Sequence, residues 1–439
     1  MQNRRKSIQK INLVTLGCSK NLVDSEHLAR QIVANGIEIL HDSDSYDAKT
    51  VIINTCGFIQ DAKEESIQSI LGFARARQQG LIDNLYVMGC LSERYKDVLQ
   101  KEIGEVDAYF GVNSLEKIID SLKLDFRKEL LGERQLSTPS HYAYLKVSEG
   151  CDRTCSFCAI PLIRGKHISR PLHELAGEAT FLASKGVKEL ILIAQDLTYY
   201  GRDLAGGSQL AALLETLTAI DGIEWIRLHY AYPAAFPFEI LPIIHANPKI
   251  CKYVDLPFQH ASDHMLRMMR RNITGQESRR LLNRIREEVP GIALRTTLMT
   301  GHPGESEKDF EALCDLVREA RFDRLGVFSY SHEEDTYAWK NYTDIIPEPV
   351  KEQRRGSLLA IQEKISKELN ESKLGKVFKV IIDGMEGPFY LGRTEYDSPE
   401  VDNEIHIPLE LAQWKPGTFQ KVIITEASAY EMLGIPAGE

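Results

Sequence analysis

The 439-residue sequence contains no apolar run that approaches the ~18 residues required by a membrane-spanning helix. Basic residues between positions 4 and 10 precede only Ile11–Leu16, a stretch too short and too polar for the core of a signal peptide. Internal repeats and low-complexity tracts are also missing, and the composition is near the globular average. These absences argue against membrane, collagen, coiled-coil and disordered chains, so we expect a cytosolic, multidomain enzyme.

Neither sign of charge dominates, because 53 Lys and Arg residues stand against 63 Asp and Glu residues. The formal net charge of −10 is mild for this length and argues only weakly against non-specific binding of nucleic acid. The chain has 8 cysteines. In a reducing compartment, cysteines more often bind metal or take part in chemistry than form disulfides. Their positions therefore carry more information than their number.

Three segments with different patterns indicate three domains. Residues 9–125 alternate β-rich runs with amphipathic helical stretches, which predicts a parallel α/β domain. Residues 137–368 contain six strand candidates separated by helices, which predicts an incomplete (βα)6 barrel with its site at the carboxyl ends of the strands. Residues 372–439 contain four short strands between Gly and Pro turns, which predicts a small antiparallel β-barrel. The polar stretch 125–140 is predicted to be a linker.

Three cysteines, Cys151, Cys155 and Cys158, lie within eight residues directly after the first strand of the second segment. Three thiolates on one loop suit a 4Fe–4S cluster in which one iron keeps an open position. A structural zinc site usually takes four ligands in two pairs, and no fourth Cys or His completes one here. The alternative is a chance grouping of cysteines on a loop.

A second set, Cys18, Cys56 and Cys90, follows three different strands of the first segment. Because the carboxyl ends of parallel strands share one edge of a sheet, these cysteines are predicted to converge there. The alternative is three buried structural cysteines. Glycine next to each cysteine favours a site for a bulky cofactor, since close backbone approach needs room. Cys251 and Cys314 have no such partners and are predicted to be core residues.

Together, the two cysteine sets and the order of the three segments resemble the methylthiotransferase family of radical S-adenosylmethionine (SAM) enzymes. The resemblance covers nearly the whole chain and implies an N-terminal methylthiotransferase domain, a radical SAM core and a C-terminal TRAM domain. It implies that Cys151, Cys155 and Cys158 hold the cluster that binds SAM and cleaves it to a 5′-deoxyadenosyl radical. It also implies that Cys18, Cys56 and Cys90 hold a second 4Fe–4S cluster that carries the sulfur, and that SAM donates the methyl group.

Residues after two later strands of the second segment are candidate SAM contacts. Gln195 and Asp196 end the second strand, where many radical SAM enzymes carry Gly-Gly-Glu, so this sequence departs from that pattern. Gly301, Pro303 and Gly304 follow the fifth strand and match the Gly-x-Pro-Gly loop of the superfamily. A polar strand end and an ordinary turn are the respective alternatives.

Within the family, the main branches modify either tRNA adenosines or an aspartate of protein twelve of the small ribosomal subunit. Four segments resemble the ribosomal-protein branch: residues 155–170, 230–233, 253–260 and 392–402. Residues 372–439 carry six Lys and Arg against eleven Asp and Glu, a balance of −5. An RNA-binding domain would be expected to show a basic face, whereas an acidic one suits a basic protein. Ribosomal proteins are basic, so the resemblance predicts such a substrate, free or on the ribosomal subunit, and a low-potential electron donor.

Two other interpretations stay open at this point. Eight arginines between positions 267 and 295 could contact the phosphates of tRNA or ribosomal RNA, although a solvated helix face is the simpler explanation. A tRNA adenosine methylthiotransferase is therefore the alternative function. A non-catalytic, metal-stabilised binding module is a more remote one.

Overall fold

A computed structural model describes residues 10–438, so the basic positions 4–6 lie outside the described residues. The N-terminal domain is a parallel five-stranded sheet in the order β2-β1-β3-β4-β5 with helices on its faces. This confirms the predicted fold, although sequence analysis missed the short edge strands β2 and β5. The elements are β1 (Lys10–Thr15), α1 (Ser19–Ala34), β2 (Glu38–His41), β3 (Thr50–Thr55), α2 (Gln60–Gln78), β4 (Asn84–Gly89), α3 (Cys90–Glu102), β5 (Ala108–Tyr109) and α4 (Leu115–Ser121).

The central domain contains a parallel six-stranded sheet in the order β6-β9-β10-β11-β12-β13, which is also the chain order. All six predicted strands are present, and the incomplete (βα)6 barrel is confirmed. The elements are β6 (Tyr142–Lys146), β7 (Ser148–Glu149), α5 (Ile160–Arg164), β8 (Ile168–Ser169), α6 (Leu172–Ser184), β9 (Glu189–Ile193), α7 (Leu210–Thr218), β10 (Trp225–Leu228), α8 (Leu241–Ala246), β11 (Ile250–Asp255), α9 (Asp263–Met268), α10 (Gly275–Glu288), β12 (Ala293–Thr300), α11 (Glu307–Ala320), β13 (Arg324–Ser329), α12 (Tyr337–Asn341) and α13 (Glu348–Glu371).

The C-terminal domain is a closed five-stranded barrel. Sequence analysis predicted four antiparallel strands and missed the fifth, β18, which pairs parallel with β16 and antiparallel with β17. The elements are β14 (Val377–Glu386), β15 (Phe389–Thr394), β16 (Glu404–Pro408), β17 (Phe419–Ala427) and β18 (Glu431–Pro436). Within the described residues, no helix is long and apolar enough to cross a membrane.

The two faces of the central sheet are buried against different parts of the chain. Alternate residues such as Leu190 and Leu192 pack against the surrounding helices in the main core. The opposite face contacts α1 through Tyr144 and Ile193, and it contacts the C-terminal barrel through Tyr253. The three domains therefore meet on one face of this sheet.

The stretch 125–140, predicted to be a linker, is packed against both domains that it joins. The Arg134 guanidinium is buried and forms ion pairs with Glu26 on α1, at 3.3 Å, and with Glu178 on α6, at 3.1 Å. The Ser137 backbone N–H also donates to Glu26, at 2.9 Å. Because a buried ion pair restrains geometry strongly, this segment fixes α1 relative to the central domain.

The C-terminal barrel is attached by buried ion pairs. Glu189 on β9 accepts hydrogen bonds from Arg227, at 2.7 Å, and from Arg393 of the barrel, at 2.8 Å. Arg324 pairs with Asp397. Three C-terminal acids are engaged inside the chain in this way, so the prediction that the excess acids face a basic partner is wrong for them: Asp383, Asp397 and Asp402. Glu395 and Glu400 accept hydrogen bonds from the Lys252 N–H and the Tyr142 hydroxyl, and Glu400 is exposed.

Candidate active site

The structure brings Cys18, Cys56 and Cys90 to one edge of the N-terminal sheet, at the carboxyl ends of the adjacent strands β1, β3 and β4. Cys56 and Cys90 are buried, whereas Cys18 is exposed. Burial, which Arg164 opposes and the charges of Cys18 and Cys56 reinforce, raises the pKa of Cys90 to about 12. Three thiols that influence one another electrostatically at a sheet edge suit a three-ligand set for an iron–sulfur cluster.

Glycine is required next to these cysteines. A Cβ atom on Gly17, whose φ is +92°, would lie 2.6 Å from Cys56 Cβ and 3.0 Å from its Sγ. A Cβ atom on Gly57 would lie 2.7 Å from Leu91 Cα on α3. The backbone segments of this site therefore approach one another more closely than any other residue would permit.

The second set lies on the loop between β7 and α5. The Arg153 backbone N–H donates to Cys151 Sγ at 3.4 Å, and Arg271 donates to Cys155 Sγ at 3.2 Å. Burial raises the pKa of Cys151 to about 11, and it also raises the pKa of Cys158. Hydrogen-bond donors aimed at sulfur are a means by which proteins stabilise and tune iron–sulfur clusters.

Both sets fit a cluster better than a mononuclear metal. Among residues 10–438, no group of three or more His, Cys, Asp or Glu side chains is placed to hold a single metal ion. A 4Fe–4S cluster does not need such a group, because each thiolate binds a different iron. Soft thiolates with donors on sulfur and a glycine-lined approach suit that cofactor.

The candidate SAM residues differ in their freedom to bind a ligand. Asp196 is already engaged, since its carboxylate accepts hydrogen bonds from Arg153 at 2.7 Å and Thr198 at 2.6 Å. Gln195 donates to Glu149 at 3.0 Å, and its Oε1 has no partner among the described residues.

The Gly301–Gly304 loop adjoins the cysteine loop of the central domain. Its His302 contacts Ser156 Oγ at 3.1 Å, and the Gly301 N–H donates to Glu305 at 2.7 Å. Burial lowers the pKa of His302 to about 4, so this ring is neutral near pH 7. The loop therefore lies beside the cysteine loop, with Pro303 at its centre.

Sequence analysis missed the residue that connects the two cysteine sites. Arg164 ends α5, six residues after Cys158, and its guanidinium donates to Asn21 Oδ1 at 2.6 Å. The same oxygen accepts a hydrogen bond from the Cys90 thiol at 3.6 Å. Arg164 also pairs with Glu149 at 2.9 Å. A long-range contact of this kind leaves no local signal in a sequence.

A second missed contact fixes the N-terminal domain to the far end of the central sheet. Glu333, which follows β13, is buried and pairs with Lys63 on α2 at 2.9 Å and with Arg94 on α3 at 2.8 Å. Because α2 and α3 follow Cys56 and Cys90 respectively, this clamp positions the N-terminal cysteine site relative to the barrel.

The arginines between positions 267 and 295 differ in their surroundings, and Arg267, Arg280 and Arg284 are exposed. Arg271 is buried beside Cys155, and Arg295 pairs with Asp402 at 2.8 Å. The prediction of a solvated helix face is therefore wrong for these two residues. Three more form contacts within the domain: Arg279 with Glu319, Arg284 with Glu288 and Arg286 with the Ala320 carbonyl. Cys251 and Cys314 are buried, which confirms their assignment to the core.

Comparisons with known families match all three segments. The model of the uncharacterized protein family UPF0004 matches residues 10–111, that of the Radical SAM superfamily matches 145–317, and that of the TRAM domain matches 374–436. Among solved structures, the radical S-adenosylmethionine methyltransferase TsrM from Kitasatospora setae shares the fold with a TM-score of 0.55 at 14% identity, over 73% of this chain and 72% of its own.

Curated relatives match over nearly the whole length. Proteins named ribosomal protein uS12 methylthiotransferase RimO are 53% identical in Cytophaga hutchinsonii, over 97% of both chains, and 54% identical in Porphyromonas gingivalis, over 96% of this chain and 98% of the relative. The Flavobacterium johnsoniae protein of the same name is 52% identical over 99% of this chain and 100% of its own. The chain therefore belongs to the radical SAM superfamily and, within it, to the RimO family of ribosomal protein uS12 methylthiotransferases.

Proposed function

We propose that this radical SAM methylthiotransferase replaces a β-carbon hydrogen of one uS12 aspartate with a methylthio group, and that its two cysteine sites divide the work. The observation that carries the division is the contact of Arg164 with Asn21. It joins the segment after Cys158 to the segment after Cys18. Two three-thiol sites held together in this way suit a reaction that needs a radical source and a sulfur carrier in the same place.

The chemistry explains why ordinary acid–base residues would not suffice. No protein side chain is basic enough to remove a proton from an unactivated carbon, whereas a carbon-centred radical can remove the hydrogen atom. Cys151, Cys155 and Cys158 would hold the cluster that, when bound, supplies the electron for SAM cleavage. Cys18, Cys56 and Cys90 would hold the second cluster, at which the sulfur is carried.

Other residues would position SAM and stabilise the cluster of the central domain. Gln195 and the Gly301–Gly304 loop, with Pro303, are the proposed SAM contacts, whereas Asp196 would act by orienting Arg153. Arg271 would stabilise negative charge at Cys155. Partners of the reaction would be uS12, free or on the ribosomal subunit, and a low-potential electron donor.

The tRNA alternative loses part of its support in the structure. It depended on a run of arginines, and Arg271 and Arg295 from that run are engaged inside the chain. Residues 372–439 still carry more acids than Lys and Arg residues when Asp383, Asp397, Asp402 and Arg393, which pair inside the chain, are left out. We therefore propose a protein substrate.

The division of labour is tested by comparing two cysteine variants. Cys155→Ala should abolish SAM cleavage, whereas Cys56→Ala should retain SAM cleavage and lose methylthiolation. Cys314→Ala, which alters a cysteine of the core outside both sites, is the control and should retain both reactions. Iron analysis should give about eight irons per chain in the wild type and about four in each site variant. Loss of SAM cleavage to the same extent in both site variants would contradict the division.

A further inference from the structure

One lysine beside the N-terminal cysteine site lacks an anionic partner. Lys20 lies in the first turn of α1, two residues after Cys18, and is 8% exposed. Among residues 10–438, no carboxylate lies within 4 Å of its ammonium group. The ammonium group lies over the Tyr230 ring, whose centroid is 3.3 Å from Nζ. A cation removed from water without a counter-charge is costly, so such a position calls for a ligand.

Lys20 faces the region between the two cysteine sites. Tyr230 follows β10, and two residues later the Tyr232 hydroxyl lies 3.7 Å from Cys155 Sγ. Two residues of backbone span at most about 7 Å. A single short segment therefore contacts Lys20 at one end and the radical SAM cysteine loop at the other.

Asp255 and His229, whose pKa values are influenced by Lys20, both have other partners. The Asp255 carboxylate accepts the Tyr230 N–H through Oδ2 at 3.2 Å, whereas its Oδ1 lies 3.8 Å from Arg295 Nε and accepts no hydrogen bond among the described residues. His229 contacts Ser398 at 2.8 Å, and burial lowers its pKa well below the usual value, so it carries no charge near pH 7. The Lys20 ammonium group can thus pair with a substrate anion, as can the Arg153 Nη2 group, which has no hydrogen-bond partner among the described residues.

We infer that Lys20 binds the side-chain carboxylate of the target aspartate and thereby selects an acidic residue as substrate. The inference rests on the proposed function, in which the β-carbon next to that carboxylate must lie between the radical source and the sulfur carrier. Pairing with the carboxylate would neutralise the buried ammonium and orient the β-carbon. Asparagine has the same shape without the charge, and it would leave the lysine uncompensated.

The test measures binding rather than turnover. Two synthetic peptides with the sequence of the uS12 target loop, one with the target aspartate and one with asparagine in its place, are titrated against the SAM-loaded, cluster-containing enzyme. The wild type should bind the aspartate peptide about 10–100-fold more tightly. Lys20→Met should reduce this ratio to near one, and Lys20→Arg, which keeps the charge, should retain a preference for aspartate. Lys20→Gln repeats the test if the methionine variant does not fold.

Lys185→Met is the matched control, because Lys185 also lies over an aromatic ring, Phe181, at 5.3 Å, but on the exposed end of α6. It should keep the wild-type ratio. Equal discrimination in Lys20→Met and Lys185→Met would overturn the inference, as would a wild type that binds both peptides equally. A wild type that methylthiolates neither uS12 nor the aspartate peptide would contradict the proposed function, and this inference with it.

Discussion

Arg271 offers a quantitative test of the radical SAM site. Its buried guanidinium donates to Cys155 Sγ at 3.2 Å and lies 4.2 Å from the Tyr232 ring centroid. A hydrogen bond to a charged group contributes about 1.5–3 kcal/mol. For a one-electron couple this range corresponds to about 65–130 mV. Since reduction adds negative charge, the guanidinium stabilises the reduced cluster, and its removal should lower the midpoint potential.

The hydrogen bond exists in both oxidation states, so only its strengthening on reduction shifts the potential. We therefore expect Arg271→Met to lower the midpoint by only part of this range, less than about 65–130 mV. The assay is a redox titration followed by electron paramagnetic resonance, carried out in the Cys56→Ala background so that the other cluster does not contribute. Arg270→Met is the control, because Arg270 lies over Tyr337 instead, at 4.4 Å. The same midpoint in both variants would refute the assignment.

Three further predictions concern the framework of the sites. Gly17→Ala should lower the iron content to about four per chain, because the new Cβ would lie 2.6 Å from Cys56 Cβ. The control is Gly36→Ala, which also has a positive φ, +80°, but has open space around it and should keep about eight irons. Asp397→Asn should destabilise the chain by about 3–5 kcal/mol in denaturant unfolding, because Arg324 loses its buried partner. Burial lowers the pKa of His302 to about 4, whereas the unfolded chain gives this ring a pKa of about 6.5. The stability that depends on the neutral ring is therefore complete above pH 6.5 and is lost as the pH falls toward 4. Calorimetry should show this loss, of about 3 kcal/mol, in the wild type and not in His302→Gln.

The strands were predictable where periodic burial is strong. In β12, for example, buried and partly buried residues alternate along Ala293–Thr300. The strands that were missed, β2, β5 and β18, are short or contain glycine, and neighbouring strands rather than intrinsic preference hold them in place. Tertiary pairing cannot be read from local pattern alone.

The cysteine positions were predictable because thiol spacing and strand ends are local features. The residues that act on them were not: Arg271 lies 116 positions from Cys155, and Arg164 lies 143 positions from Asn21. Counting charges was also misleading for the C-terminal domain. Several of its acids, Asp397 and Asp402 among them, neutralise arginines of the central domain instead of facing solvent. Net charge describes a surface only after internal pairs have been removed.

The identity of the substrate is best tested by the mass spectrum of uS12 from cells with and without this enzyme. We expect a methylthio mass increment on one aspartate that is present only with the enzyme, while the methylthio content of tRNA nucleosides is unchanged. An unmodified uS12 together with an enzyme-dependent methylthio group on tRNA adenosine would contradict the proposed substrate.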